Sequence, residues 1–327
     1  LMTTFGAYLN GVGTPWAELL EHFTTAEAAG FEIAWTMDNV VGPVHNHPEL
    51  PTYEAFTLLA AVASRTSTMQ LGTLITPCNR RHPALLAKMA ATLDQISNGR
   101  FILGMGPGDH EQYFTPWGMS FDAPKDRIAR LREELDIMRL LWTQSTSSYE
   151  GAYYRLDDAV LEPKPVARPH LPICIGLNFG KQVMPKVAAR YADHVNIYIA
   201  GNDAAQHLID RVRIECDAIG RDAQEIVFSR VLRVALTDET KDEFKRREAD
   251  EMVAAGIDRS EIELSDRLYD EHCLGNPEQI ASQLVAQTKL GFDHLVLLIG
   301  ERPGQSPTDA IAEIGATVLP LVRDHAG

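Results

Sequence analysis

The chain has 327 residues, 45% apolar and 23% charged, values of a folded globular protein rather than a disordered or fibrous one. Acidic residues outnumber basic ones 45 to 30, giving −15, which excludes nucleic acid and anionic membrane as main partners but still permits a local basic pocket. No apolar run approaches the ~20 residues of a membrane span, no basic n-region opens the chain, and the four cysteines lack CxxC or zinc-site spacing; a cytoplasmic protein with reduced cysteines is expected.

Short apolar runs alternate with segments of helical period. Phe5 to Leu9 reads as a strand, followed by a helix from Pro15 to Ala29 with Thr14 as N-cap and Gly30 closing it. Glu32 to Thr36 (strand), Tyr53 to Arg65 (helix), Met69 to Ile75 (strand) and Pro83 to Ile96 (helix) continue the pattern. Phe101 to Met105 and the helix Asp126 to Trp142 come next. Tyr149 to Leu156 reads as a hairpin, and Pro163 to Pro172 as an extended connector.

The alternation resumes with Ile173 to Ile175, the helix Met184 to Tyr191 and the strand Val195 to Ile199. Then come Ala204 to Ile219, Ile226 to Ala235, Glu278 to Leu290, His294 to Ile299 and Thr308 to Val322. Thr237 to Asp270 is charged, has no strand signal and reads as a helical insertion. Strands such as Leu295 to Ile299 are apolar throughout, as parallel strands covered on both faces must be. The length alone allows two ordinary domains, but eight strand–helix units with no switch point predict one α/β domain over residues 1–327. That domain is a (β/α)8 TIM barrel with insertions near 149–172 and 237–270.

Such a barrel places its site at the strands' C-terminal ends. Those ends carry Asn10, Asp38 and Asn39, Thr73 and Thr76, then the run Asn79–Arg80–Arg81–His82. Further along come Gly104, Gly106, Gly108, Asp109, His110 and Glu111, then Asn196, Tyr198, Arg230 and Arg233. His45 and His47 lie on the loop after the second strand. Gly104–Gly106–Gly108 is GxGxG rather than the dinucleotide fingerprint. His110 and Glu111 have no third ligand at matching spacing, so no metal is expected. No G-x-S-x-G elbow is present. Gly176–Leu177–Asn178–Phe179–Gly180–Lys181 leaves a strand and enters a helix, where free N–H groups and a lysine suit an anion.

Five segments in order carry a resemblance. They are LGTLITPCNRRHPALLAKMAATLDQISNGRFILGMGPG (Leu71 to Gly108), YEGAYY (Tyr149 to Tyr154) and EPKPVARPHLPICIG (Glu162 to Gly176), then AARYADHVN (Ala188 to Asn196) and GNPEQIASQL…GFDHLVLLI (Gly275 to Ile299). The sequence resembles the luciferase-like flavin and deazaflavin oxidoreductases, closest to the branch using coenzyme F-420. That resemblance implies a barrel holding reduced coenzyme F-420 at its mouth. The ring would lie on the end of the third strand, at a bulge or cis peptide matching Thr73–Leu74, with Gly106 beside it. Phosphate would bind at Leu177, Asn178, Phe179, Gly180 and Lys181, and Asp38 and His82 would complete the coenzyme site.

The resemblance implies Asp–His after the second strand in dehydrogenases of this branch, but Asp38–Asn39 stands here. Asn39 cannot take a proton near neutral pH, which argues against alcohol oxidation by that route. The expected reaction is hydride transfer to an unsaturated small organic substrate, with Asp109 or His110 giving the proton. The alternative is an FMN-dependent monooxygenase fed by a separate flavin reductase, with Asn39, Thr73 and His82 as its hydrogen-bonding groups. Arg80 or Arg81 is a candidate partner for coenzyme or an anionic substrate. A homodimer is the expected assembly.

Overall fold

Eight parallel strands close on themselves in the computed structural model, which describes residues 3–42, 50–167, 169–178, 182–198, 201–254 and 272–325. They are β1 (Thr4–Tyr8), β2 (Ile33–Thr36), β3 (Gln70–Thr73), β5 (Phe101–Gly106), β8 (Ile173–Gly176), β9 (His194–Ile197), β10 (Val227–Leu236) and β12 (His294–Ile299). Each pairs with the next around the ring, and β12 returns to β1 through Thr4↔His294 to Ala7↔Leu297. Two short strands supplement the ring: β4 (Thr76–Pro77) on β5, and β11 (His272–Gly275) on the outer end of β10.

Helices clothe the barrel: α1 (Trp16–Ala28), α2 (Ala55–Ala63), α3 (Pro83–Ser97), α4 (Pro124–Thr143), α5 (Met184–Tyr191), α6 (Asn202–Ala218), α8 (Pro277–Lys289) and α9 (Pro307–Thr317), with α10 (Leu319–His325) at the end. The outer core lies between strands and helices, built from residues such as Phe5, Leu19, Leu71, Phe101, Leu135, Val195, Leu232 and Leu295. A second cluster fills the barrel itself: Tyr8, Ile33, Trp35, Met37, Leu74, Ile102, Cys174, Val231 and Val296. No described helix is long and apolar enough to cross a membrane, and all four cysteines are buried and free.

Two segments depart from the strand–helix alternation, in the regions where insertions near 149–172 and 237–270 were expected. The first is the antiparallel pair β6 (Ser147–Glu150) and β7 (Arg155–Ala159). Glu133 on α4 anchors it by accepting the N–H groups of Ala152, Tyr153 and Tyr154. The second contributes α7 (Lys241–Ala254); its residues 255–270 lie outside those described.

Three details differ from the sequence expectation. Helix α1 is capped by Pro15 rather than Thr14, because the Thr14 N–H closes a turn onto Gly11 O at 3.1 Å. Arg230 was expected at the mouth, yet it faces outward and is fully buried, with Asn202 of α6 and Gln287 of α8 accepting from it. Strand alternation requires this, since Phe228 and Leu232 belong to the outer core while Ser229, Val231 and Arg233 point inward. Strand β11 was not anticipated.

Candidate active site

The barrel is closed from below by side chains. Trp35 fills its centre, with Nε1 donating to His294 Nε2 at 2.9 Å, while Thr4 Oγ1 meets His294 Nδ1 at 2.8 Å. Gly6 and Gly72 make this possible, because a Cβ at Gly72 would lie 2.3 Å from the indole. Above this layer, Val12, Ile75, Tyr198 and Leu298 are only partly buried and form an apolar floor. Among the described residues, the mouth thus has an apolar layer over a packed plug.

The third strand shapes that floor. The Leu74 N–H still bonds to Thr36 O at 2.7 Å, and a cis peptide follows at Leu74–Ile75. The irregularity thus falls one bond beyond the expected Thr73–Leu74, because pairing with β2 carries the strand through Leu74. Thr73 bridges the gap: its hydroxyl accepts from Gly104 N at 2.9 Å and donates to Gly104 O at 3.2 Å.

Three glycines surround the displaced Ile75. A Cβ at Gly104 would meet Thr73 O at 1.8 Å, one at Gly106 would meet Ile75 Cδ1 at 2.0 Å, and one at Gly176 would meet it at 2.9 Å. Gly104 and Gly106 were noticed in the sequence as a glycine-rich turn. Their actual role is close approach to the bulge.

Loops around the rim are knitted together by ions. Asp38 is almost fully buried, and Arg81 clamps its carboxylate at 2.6 and 3.0 Å. The same guanidinium reaches Glu54 Oε1 at 2.5 Å, and Glu54 also caps α2 by accepting from Phe56 N and Thr57 N. Arg80 donates to Asp38 O and to Tyr113 O, with Phe114 beneath it. Both arginines, candidates from the sequence for binding coenzyme or an anionic substrate, thus bond to protein groups here. Asn39 is half-buried beside them, with Nδ2 3.4 Å from Met37 Sδ.

Behind this run lies Glu134 on α4, which the sequence reading missed. It accepts from Asn79 N at 2.8 Å and from the Tyr154 hydroxyl at 2.7 Å, tying the mouth loop to the hairpin insertion. Burial is the main reason its carboxyl is pushed up to about 7; the bonds from Tyr154 and Asn79 and the Arg130 charge oppose this. A glutamate on an otherwise regular amphipathic helix gives little warning of such burial.

Other candidates are more open. Asp109 and His110 stand 3.7 Å apart on the loop after β5, with side chains 43% and 53% exposed. His82 caps α3, its Nδ1 accepting from Ala84 N at 3.2 Å, and its ring stands edge-on to Tyr154. Leu177 is buried, and Asn178 Oδ1 accepts from Tyr198 N at 2.8 Å, joining the ends of β8 and β9. Phe179, Gly180 and Lys181 lie outside the described residues, as do His45 and His47.

Known proteins resemble the chain in sequence and in fold. A family model described as luciferase-like monooxygenase matches residues 1–294. The chain is similar to an F420-dependent glucose-6-phosphate dehydrogenase of Amycolatopsis mediterranei (strain U-32), with 27% identity over 326 residues and 94% of each chain covered. It is also similar to an F420-dependent glucose-6-phosphate dehydrogenase of Segniliparus rotundus, 31% identical over 267 residues, covering 80% of this chain and 74% of that one. Among solved structures, an F420-dependent secondary alcohol dehydrogenase in complex with an F420-acetone adduct superposes with a TM-score of 0.83. The identity is 21%, with 99% of this chain and 100% of that chain covered; that likeness concerns the fold.

Proposed function

The chain belongs to the luciferase-like monooxygenase family, and from that premise we propose that it is a coenzyme F-420-dependent oxidoreductase passing hydride to an unsaturated organic substrate. The observation that carries this reading is the seat at the mouth. Ile75 lies across the floor, and Gly104, Gly106 and Gly176 around it project no side chain. A planar tricyclic ring would find apolar contact on such a surface, and the half-buried Asn10 and Asn39, which follow the first two strands, would offer it hydrogen bonds. When bound, the reduced deazaflavin supplies a hydride.

The chain's own residues do the rest. Thr73, Leu74 and Gly106 would bear the ring, and Leu177 to Lys181 the phosphate, while His82 and the clamped Asp38 hold the surrounding loops. Asn39 offers a hydrogen bond but no base, which favours reduction over alcohol oxidation. Asp109 or His110 would deliver the proton that completes the reduction. Both are solvent-exposed, so either can be reprotonated from water.

Titration of the apo-protein with coenzyme F-420 and with FMN, followed by fluorescence, tests the reading. Micromolar binding of the deazaflavin is expected, and binding of neither would sink it. Binding of FMN alone would redirect it to a monooxygenase fed by a flavin reductase. Lys181→Ala should weaken coenzyme binding about tenfold, or ~1.4 kcal/mol.

A further inference from the structure

Helix α7 interrupts the strand–helix alternation, and its inner face reaches the mouth. Phe244 is fully buried and stands 3.3 Å from where a Cβ of Gly300 would lie; its ring is 6.0 Å from that of His272. One turn further, Glu248 pairs with Arg233, and the two side chains are only 17% and 21% exposed.

Arg233 is the inward position of β10 that follows Val231, which lies in the barrel-interior cluster. Its register partner on β12 is Leu298, part of the apolar floor. Its Nη2 lies 3.8 Å from the Cβ position of Gly300, the residue that follows β12. Arg233 therefore faces the mouth, and α7 supplies its counter-ion. On the opposite rim Arg81 is held between two carboxylates, and Arg80 donates to two backbone carbonyls.

We propose that the Arg233–Glu248 pair makes this pocket select against anionic substrates, so that it takes an uncharged one and rejects sugar phosphates. An entering phosphate would be stripped of water and would have to compete with Glu248 for Arg233 and with the carbonyls of Asp38 and Tyr113 for Arg80. Any approach to Arg233 would bring it near the carboxylate of Glu248, an element of repulsion. This inference rests on the reading of the mouth as the substrate site. It also separates the chain from relatives that bear the name of a sugar-phosphate dehydrogenase.

The test uses the full chain with glucose and glucose 6-phosphate as probes, read by calorimetry and thermal shift, neither of which needs turnover or coenzyme. Wild-type protein should bind glucose 6-phosphate no more tightly than glucose. Glu248→Gln frees Arg233 and should tighten glucose 6-phosphate binding at least tenfold while leaving glucose unchanged. The double variant Arg233→Gln/Glu248→Gln should return to the wild-type preference. A wild-type preference for the phosphorylated sugar overturns the proposal, as does a folded Glu248→Gln protein that gains nothing. If Glu248→Gln does not fold, the wild-type comparison decides alone. Coenzyme F-420 titration of the same samples keeps the two readings apart. Loss of coenzyme binding counts against the oxidoreductase assignment, whereas unchanged charge preference counts against this one.

Discussion

The closed end of the barrel and its open end use the same eight strands but spend their inward positions differently. At the closed end, glycines at Gly6 and Gly72 admit an indole, and Trp35, His294 and Thr4 satisfy one another by hydrogen bonds. Burial holds His194 down to about 4 and His294 down to about 3, so both are neutral at physiological pH. At the open end, glycines at Gly104, Gly106 and Gly176 admit the displaced Ile75. Charged groups there are held in pairs such as Asp38–Arg81 and Arg233–Glu248. The same device, a missing side chain, admits an indole at one end and a displaced isoleucine at the other.

The sharpest break of this contrast is Trp35→Ala. Removing a fully buried indole should lower unfolding free energy by about 3–5 kcal/mol, measured by denaturant titration. A loss below ~1 kcal/mol would mean that the closed end does not carry the stability assigned to it.

Next comes Glu134, where a buried carboxyl under the mouth behaves like the closed end. Its folded pKa of about 7 lies above the ordinary 4.5, so the folded state keeps a proton that the unfolded state releases. Its contribution to stability is therefore intact below pH ~4.5 and is lost as pH rises toward ~7. Glu134→Gln should match wild type at low pH and be more stable above neutrality, by on the order of 3 kcal/mol. A stability difference that does not change with pH would show that Glu134 ionises freely.

Gly106→Ala acts only at the mouth. The new methyl must push Ile75 aside, and coenzyme affinity should fall about tenfold, ~1.4 kcal/mol. The smallest effect is expected from His82→Ala. Loss of its cap on α3 should cost about 1 kcal/mol of stability with coenzyme affinity unchanged. A drop in affinity would give His82 a direct part in the coenzyme site.

The alternation of apolar runs with helical periods was enough to count eight units and to place the strand ends. Gly104 and Gly106 stood out only as a glycine-rich turn, while Asp38, Arg81, Asp109 and His110 were all legible as residues at strand ends. Other features were not. In a parallel strand buried on both faces, the apolar pattern does not say which residues point inward. Arg230 and Arg233 therefore read alike, although one is locked between helices and the other faces the pocket. Nor does local sequence reveal that Arg81 spends its charge on Asp38 and Glu54, because those partners arrive from other loops.

What the sequence determined by itself was the barrel and the order of its strands and helices. These follow from periodicity and from glycine and proline positions, which act over a few residues. Tertiary structure decided that the cis peptide lies at Leu74–Ile75 and that Trp35 plugs the barrel. It also brought Glu134 and Glu248 to bear on the mouth. Each depends on groups far apart in the chain meeting in a space where burial removes water, so a carboxylate, an indole or a guanidinium takes its role from the partner that the fold delivers.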